Sequence, residues 1–387
     1  QMREHKLIIN KLLEQMEQAD MDALLLTSAE GVFYTSGCSL ALLFRGRSQG
    51  CAVLTRDGQV YVICHEFDET GCDKKDPSVK VETFGGGQIY IEDVTKPGEK
   101  KGTAIDPLSA LCMAFECIPP IREGKKLGVE TKCLTYPQAQ LIFETYGKDI
   151  IANCEMVLNK AMMIKTPWEI QVLRRNARFS ELAMHKTMAA TVPGMTCAEI
   201  QAYFTKLCYE MAPNLTLVNH AHTFGSYFAP AWEPKQVPMQ RGDLIRLDGG
   251  PTVDGYKSDL GRTYAVGGYA DKERHEIYRE LWKGYQWGVE HIGPGVKMCD
   301  FFNGINEQIK IPGYTRGHYG HSIGCHNGEE YPFFSPNEPM CFQPGMVVCI
   351  ETPFYSARRH TYNIEDTFVI TENGAEQVTH ANPSLYV

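Results

Sequence analysis

The stretch Leu244–Thr263, LIRLDGGPTVDGYKSDLGRT, restricts this chain more than any other. It reads as two strands around Asp254-Gly255, a dipeptide that favours a two-residue hairpin turn. With that turn, Asp259 faces Gly250 across the ladder. Asp248 is then its diagonal neighbour on the same face, about 7–8 Å away. Two carboxylates on one sheet face repel each other unless a proton or a cation lies between them. A half-exposed hairpin with both aspartates in water is the other solution, and the hairpin alone leaves the two readings open.

A chain of 387 residues exceeds one ordinary core, so two domains are expected. The first spans residues 1–158 and is mixed α/β. It opens with an amphipathic, charged helix over residues 5–19, read as a helix and not as a signal peptide. MDALLLT (Met21–Thr27) reads as a buried strand and VFYTSG (Val32–Gly37) as another. Gly50–Thr55 and Gln59–Cys64 alternate around Arg56-Asp57-Gly58 as a hairpin. The unit carries no concentrated chemistry; Arg45 and Arg47 follow an apolar loop and read as solvated. The second domain, residues 159–387, starts with a long helix announced by Thr166-Pro167-Trp168-Glu169, a capping box with proline at the first helical position. That helix, Pro193-Gly194 and a second helix are followed about 100 residues later by a helix over 272–291, Pro294-Gly295 and a second helix of that pair, 299–309. The recurrence implies two duplicated half-domains, each giving strands to one antiparallel sheet with helices on one side. The fold class expected is α+β.

The net charge of −9 argues against a nucleic-acid partner, which requires a basic face. No run approaches the ~18 apolar residues of a membrane span. The 14 cysteines are scattered singly, with no CxxC pair. This reads as reduced, buried thiols in a cytoplasmic protein and not as a thiolate zinc site.

Three further stretches carry polar groups on apolar strands. RGHYGHSIG (Arg316–Gly324) brackets His321 with glycines, which let the backbone approach a site closely. MVVCIE ends on Glu351, and YNIEDTFVIT (Tyr362–Thr371) holds Glu365 inside an apolar pattern. A glutamate there is costly to bury unless it is paired or bound to metal. Asp248, Asp259, His321, Glu351 and Glu365 together make a hard, oxygen-rich donor set. It suits two divalent ions such as Mn, Co, Fe or Zn, a recurring hydrolytic device.

At these residues the chain resembles the M24 metallopeptidase, or pita-bread, family of Xaa-Pro aminopeptidases, prolidases, methionine aminopeptidases and creatinase. The matching motifs are DGGxxxxGYxSDxxRT, GHSIG, PGMVxxIE and IEDT. The N-terminal stretch MDALLLTSAEGVFYTSG and the linker IKTPWEIQVLRRNA look like the prolidase/creatinase arrangement. The resemblance implies Asp248 on one metal, Asp259 and Glu365 bridging, and His321 with Glu351 on the other. It implies Glu351 as general base. It also leads us to expect a homodimer in which the N-terminal domain of one chain helps close the site of the other.

The departures concern the groups that read a peptide. The family's substrate-facing histidine before the first aspartate falls at Ala231, beside Trp232; His220 and His222 lie upstream. Its second histidine falls at Gly328, near His326. Its arginine before the last glutamate is Asn363, and its threonine at position 261 is Gly261. Creatinase shares the GHS wording and the ENGAE tail (Glu372–Glu376) but lacks the metal-binding aspartates. The expected activity is a metal-dependent hydrolase of an amide or other C–N bond, of Xaa-Pro dipeptidase type. His318 or His326 is the expected proton donor, and Tyr227 and Trp232 the substrate contacts. A non-peptide amidohydrolase and a non-catalytic pita-bread binding module are the alternatives.

Overall fold

The computed structural model describes residues 3–41, 50–73, 75–84, 108–219, 236–326, 328–356 and 360–386. The chain divides into two compact units, residues 1–162 and 163–387.

The first unit is a six-stranded sheet, order β4-β3-β2-β1-β5-β6. Its strands are β1 (Met21–Leu26), β2 (Cys51–Thr55), β3 (Val60–His65), β4 (Lys80–Phe84), β5 (Lys126–Val129) and β6 (Ile151–Asn153). Helices α1 (His5–Gln18), α2 (Ala29–Ser36), α3 (Ser109–Cys117), α4 (Tyr136–Tyr146) and α5 (Glu155–Met163) accompany it. Ala23, Leu25, Val53, Ile63 and Leu127 form its core with Leu111 and Ile142. The expected strand Val32–Gly37 is instead the end of α2. Ser28 caps that helix by accepting from the Gly31 amide, and Gly37 ends it in the left-handed region. These local signals outweigh the β-branched and aromatic content of the segment.

In the second unit, α6 (Pro167–Ala190) and α7 (Cys197–Met211) form the first helix pair, α8 (Lys272–His291) and α9 (Met298–Gln308) the second. A small ladder pairs β7 (Leu217–Asn219) with β9 (Gly250–Thr252). The main antiparallel sheet runs β12 (Glu330–Phe333), β11 (Gly320–Ser322), β13 (Val347–Glu351), β16 (Glu365–Thr371), β10 (Gly261–Ala265), β8 (Leu244–Asp248), with β17 (Gly374–Gln377) on β16. A hairpin of β14 (Phe354–Ser356) and β15 (His360–Tyr362) lies beyond β13.

The two halves repeat one another in detail. After the first Pro-Gly turn, the Gly194 amide donates to Met239 O (2.8 Å). After the second, the Gly295 amide donates to Phe342 O (2.9 Å). Each turn leads into a helix, and each acceptor precedes a strand that ends in a carboxylate, Asp248 or Glu351. Alternation then sorts the sheet. Ile245, Leu247 and Tyr264 pack with α6 and α7, while Val348, Ile350, Phe368 and Ile370 pack with α8 and α9. Each fully buried aliphatic side chain contributes about 1.5–3 kcal/mol. This apolar face provides the stability that offsets a polar opposite face.

Candidate metal centre

The hairpin that carries the aspartates has the register its turn implies. Asp254 and Gly255 both take positive φ, Val253 bridges Tyr256, and Asp248 sits opposite Gly261. Helix α6 grips the turn. Asn176, fully buried, donates to Val253 O (3.0 Å) and Tyr256 O (2.7 Å), and Ser180 donates to Gly249 O (2.7 Å). The Tyr256 hydroxyl reaches the buried capping glutamate, Glu169 (2.9 Å).

Across the sheet, Gly261 pairs with Glu365, Glu365 with Glu351, and Cys349 with His321. With a period of two, Asp248, Glu365, Glu351, Cys349 and His321 therefore share the face turned away from the helices. Ligand atoms fall into three groups, each within 4.8 Å: Asp248, Asp259, Glu365; His321, Cys349, Glu365; and His318, Glu329, Glu351. Glu365 belongs to the first two. Gly320 makes the close approach possible, since a Cβ there would lie 2.1 Å from Cys349 O.

Electrostatics set each group differently. His321 donates from Nδ1 to Ser322 O (2.9 Å), leaving Nε2 3.6 Å from Glu365 Oε1. Burial opposes charge on His321, but Glu365, Glu329 and Asp259 outweigh it and hold the imidazole up at about 9. Burial, then the Asp259 charge, push Glu365 up to about 7. Burial likewise works against ionised Asp259, yet Lys257 and His321 hold its carboxyl below the ordinary value. His318 is lowered, chiefly by burial. Glu365 Oε1 is buried and accepts no hydrogen bond. An orphaned carboxylate oxygen facing an imidazole nitrogen, with more carboxylates around it, fits a divalent cation.

Several partners were not singled out in the sequence. Arg246 pairs with Asp248, Lys257 Nζ lies 2.9 Å from Asp259 Oδ2, and Arg316 Nη2 lies 2.8 Å from Glu351 Oε1. Two of these cations stand two residues before an aspartate, a spacing that puts Arg246 and Asp248 on one face of β8 and, in extended chain, sets Lys257 on the same side as Asp259. Cys349 was seen only as a buried thiol. Two departures from the family pattern prove to be one packing exchange. Asn363 occupies the space a side chain at 261 would need, 2.2 Å from its Cβ, and donates to Glu365 Oε2 (2.9 Å). The expected strand Tyr362–Thr371 breaks here, because the Asn363 amide donates to Thr263 Oγ1 (2.7 Å) instead of to a ladder partner.

Of the candidate proton donors, His318 lies between two carboxylates, with Nδ1 3.3 Å from Glu351 and Nε2 3.5 Å from Glu329. His326 joins none of the three groups. Its amide donates to Glu330 Oε1 (3.0 Å), and Glu330 is in turn paired with Lys165 (3.2 Å). Tyr227, Trp232, Ala231, His220, His222, Arg45 and Arg47 lie outside the described residues.

The sequence matches "Metallopeptidase family M24" over residues 171–372 and "Creatinase/Prolidase N-terminal domain" over residues 8–164. This chain belongs to metallopeptidase family M24. It is a metal-dependent hydrolase, and its fold is the α+β pita-bread fold. Among similar proteins, the uncharacterized peptidase YqhT of Bacillus subtilis is 27% identical, the match covering 98% of this chain and 99% of that one. The Xaa-Pro dipeptidase of Pyrococcus furiosus is 25% identical, over 97% and 99% of the two chains. The solved prolidase of Pyrococcus horikoshii OT3 superposes with a TM-score of 0.78 at 22% identity, covering 98% of this M24 chain and 99% of its own. The X-Pro aminopeptidase of Thermotoga maritima gives 0.78 at 18%, covering 98% and 99%. No described helix is long and apolar enough to cross a membrane.

Proposed function

We propose that this M24 enzyme is an Xaa-Pro dipeptidase-type hydrolase whose ligands are Asp248, Asp259, His321, Glu351 and Glu365. The observation that carries the reading is that Asp248, Glu365, Glu351 and His321 share one sheet face and that Asp259, just before β10, brings its carboxylate to Asp248 and Glu365, with Glu365 common to two donor groups. Full-length relatives named as Xaa-Pro dipeptidases support the substrate class. Manganese is the leading ion for the oxygen-rich set, with Co, Fe or Zn as alternatives; a thiol beside His321 draws the choice toward the softer of these. When bound, the metal polarises the scissile carbonyl and lowers the pKa of water. The five ligands suffice for two such ions, and how many they hold depends on the cations already paired with them.

The chain's own residues then divide the proton work. Glu351, oriented by Arg316, takes the proton of the attacking water. His318, in reach of Glu351, takes that proton over and delivers it to the departing amine, which returns both groups to their starting state. We favour His318 over His326 because His318 stands beside Glu351 in a donor group that His326 does not join.

The exchange at Gly261 and Asn363 favours a second reading, a compact non-peptide amide such as an N-acyl or cyclic amino acid, because it alters the wall beside Glu365. Protein reconstituted with Mn should be assayed on Xaa-Pro dipeptides and on N-acyl and cyclic amino acids. A kcat/KM of about 10⁴ M⁻¹s⁻¹ or more on the dipeptides supports the first reading. Turnover of the amides alone supports the second. Metal binding with no turnover of either class overturns both.

A further inference from the structure

We infer that this centre is built around one divalent ion, on the His321–Glu365 side, with Lys257 and Arg246 supplying the charge a second ion would bring. The inference rests on the ligand assignment proposed above.

The two donor groups that share Glu365 are not alike. In the first, both remaining carboxylates already hold a cation: Lys257 on Asp259 (2.9 Å) and Arg246 on Asp248. Both cationic side chains are almost wholly buried, at 6% and 3% exposure, so to reach water they would have to break the packing around them. The Lys257 amide is pinned to Gly324 O (3.0 Å). Arg246 also donates to the Tyr355 hydroxyl (3.0 Å) and lies over that ring at 4.9 Å. In the second group, His321, Cys349 and Glu365 form no ion pair with a lysine or arginine among the described residues.

Charge balance agrees with geometry. Four ligand carboxylates face three cations, the third being Arg316 on Glu351. With His321 neutral, as a ligand must be, these carboxylates and cations together carry one negative charge for the metal to meet. One divalent ion turns this into a single positive charge. A second would leave three, buried in protein and adjacent to an ammonium and a guanidinium, which low-polarity surroundings penalise steeply.

The test is a count of ions. Chelator-stripped protein is titrated with MnCl₂ by calorimetry. Bound Mn is then measured by elemental analysis after gel filtration, and by EPR, which separates isolated from spin-coupled Mn. The native chain should retain one equivalent with an uncoupled signal. Lys257→Met should retain close to two, its second Kd tightening by about tenfold or more. Lys257→Arg, which keeps the charge, should stay at one; it serves as the second variant if the methionine form does not fold. Two native equivalents with similar affinity and a coupled signal would overturn the inference while leaving the functional reading intact. No bound Mn in the native chain would overturn both.

Discussion

Arg262 tests whether the sheet that carries the candidate ligands is held by a buried charge on its far side. It alternates with Gly261, so it points toward the helices. Its guanidinium pairs with Asp366 (2.8 Å), with both side chains at most 2% exposed, and with Glu181 (3.1 Å), which is partly exposed. It also donates to the main-chain oxygens of Glu365 (2.6 Å) and Gly261 (2.9 Å). These bonds matter because β10 and β16 meet at one paired position, Gly261 opposite Glu365. Arg262→Met keeps the stem and deletes the charge. Asp366 would retain Tyr285, Thr379 and the Ala381 amide, but no cation. Breaking one side of a buried pair costs about 3–5 kcal/mol. Losing the carbonyl contacts adds about 1 kcal/mol or more. These terms are not additive, so a loss of about 4 kcal/mol is expected. All four tryptophans (168, 232, 282, 287) lie in the second unit, so their fluorescence in urea reports that unit. With a slope of about 1–3 kcal/mol/M, the midpoint should fall by more than 1 M. Glu181→Gln, which removes the partly exposed partner, should cost about 1 kcal/mol or less. Equal, small shifts for both variants would refute the claim that burial gives this guanidinium its weight.

Glu365→Ala removes the one carboxylate common to both donor groups, so bound metal and turnover should vanish together; a folded variant with full metal content contradicts the assignment. Gly261→Thr places its Cβ 2.2 Å from Asn363 Nδ2, so it should cost about 1–3 kcal/mol, and Asn363→Ala in the same chain should recover much of that loss in urea unfolding. In the first unit, the Arg122 hydrogen bond holds the Asp22 carboxyl below the ordinary value. A depressed folded pKa stabilises above the unfolded value of about 3.9 and is lost as pH falls through the folded one. The stability difference between native protein and Arg122→Ala, followed by far-UV circular dichroism in urea, should therefore be constant near neutrality and shrink below about pH 4; a difference unchanged at pH 3 would contradict it. We expect a homodimer, the commonest symmetric assembly, and light scattering that finds only monomer at micromolar concentration would count against it.

What was legible in the sequence is what obeys a short period. Asp248, Asp259, Glu351 and Glu365 stood out because a carboxylate inside an apolar, alternating strand has a high cost and a known face. The Asp254-Gly255 turn set the hairpin register directly. The recurring helix–Pro-Gly–helix units foretold the repeat, because each Pro-Gly turn feeds an equivalent hydrogen bond. Asn363 and Gly261 were read as separate departures. Their coupling passes through the β10–β16 pairing, about 100 residues apart in the chain, and no local pattern encodes that contact. The cations were legible and were missed. Arg246 and Lys257 each precede an aspartate by two positions, and the rule that puts the aspartates on the inner face puts these side chains there too. An apolar strand interrupted by one carboxylate signals a ligand. The same strand with a cation two residues earlier signals a carboxylate whose charge is already met, and this second pattern bears on how many ions such a face can hold.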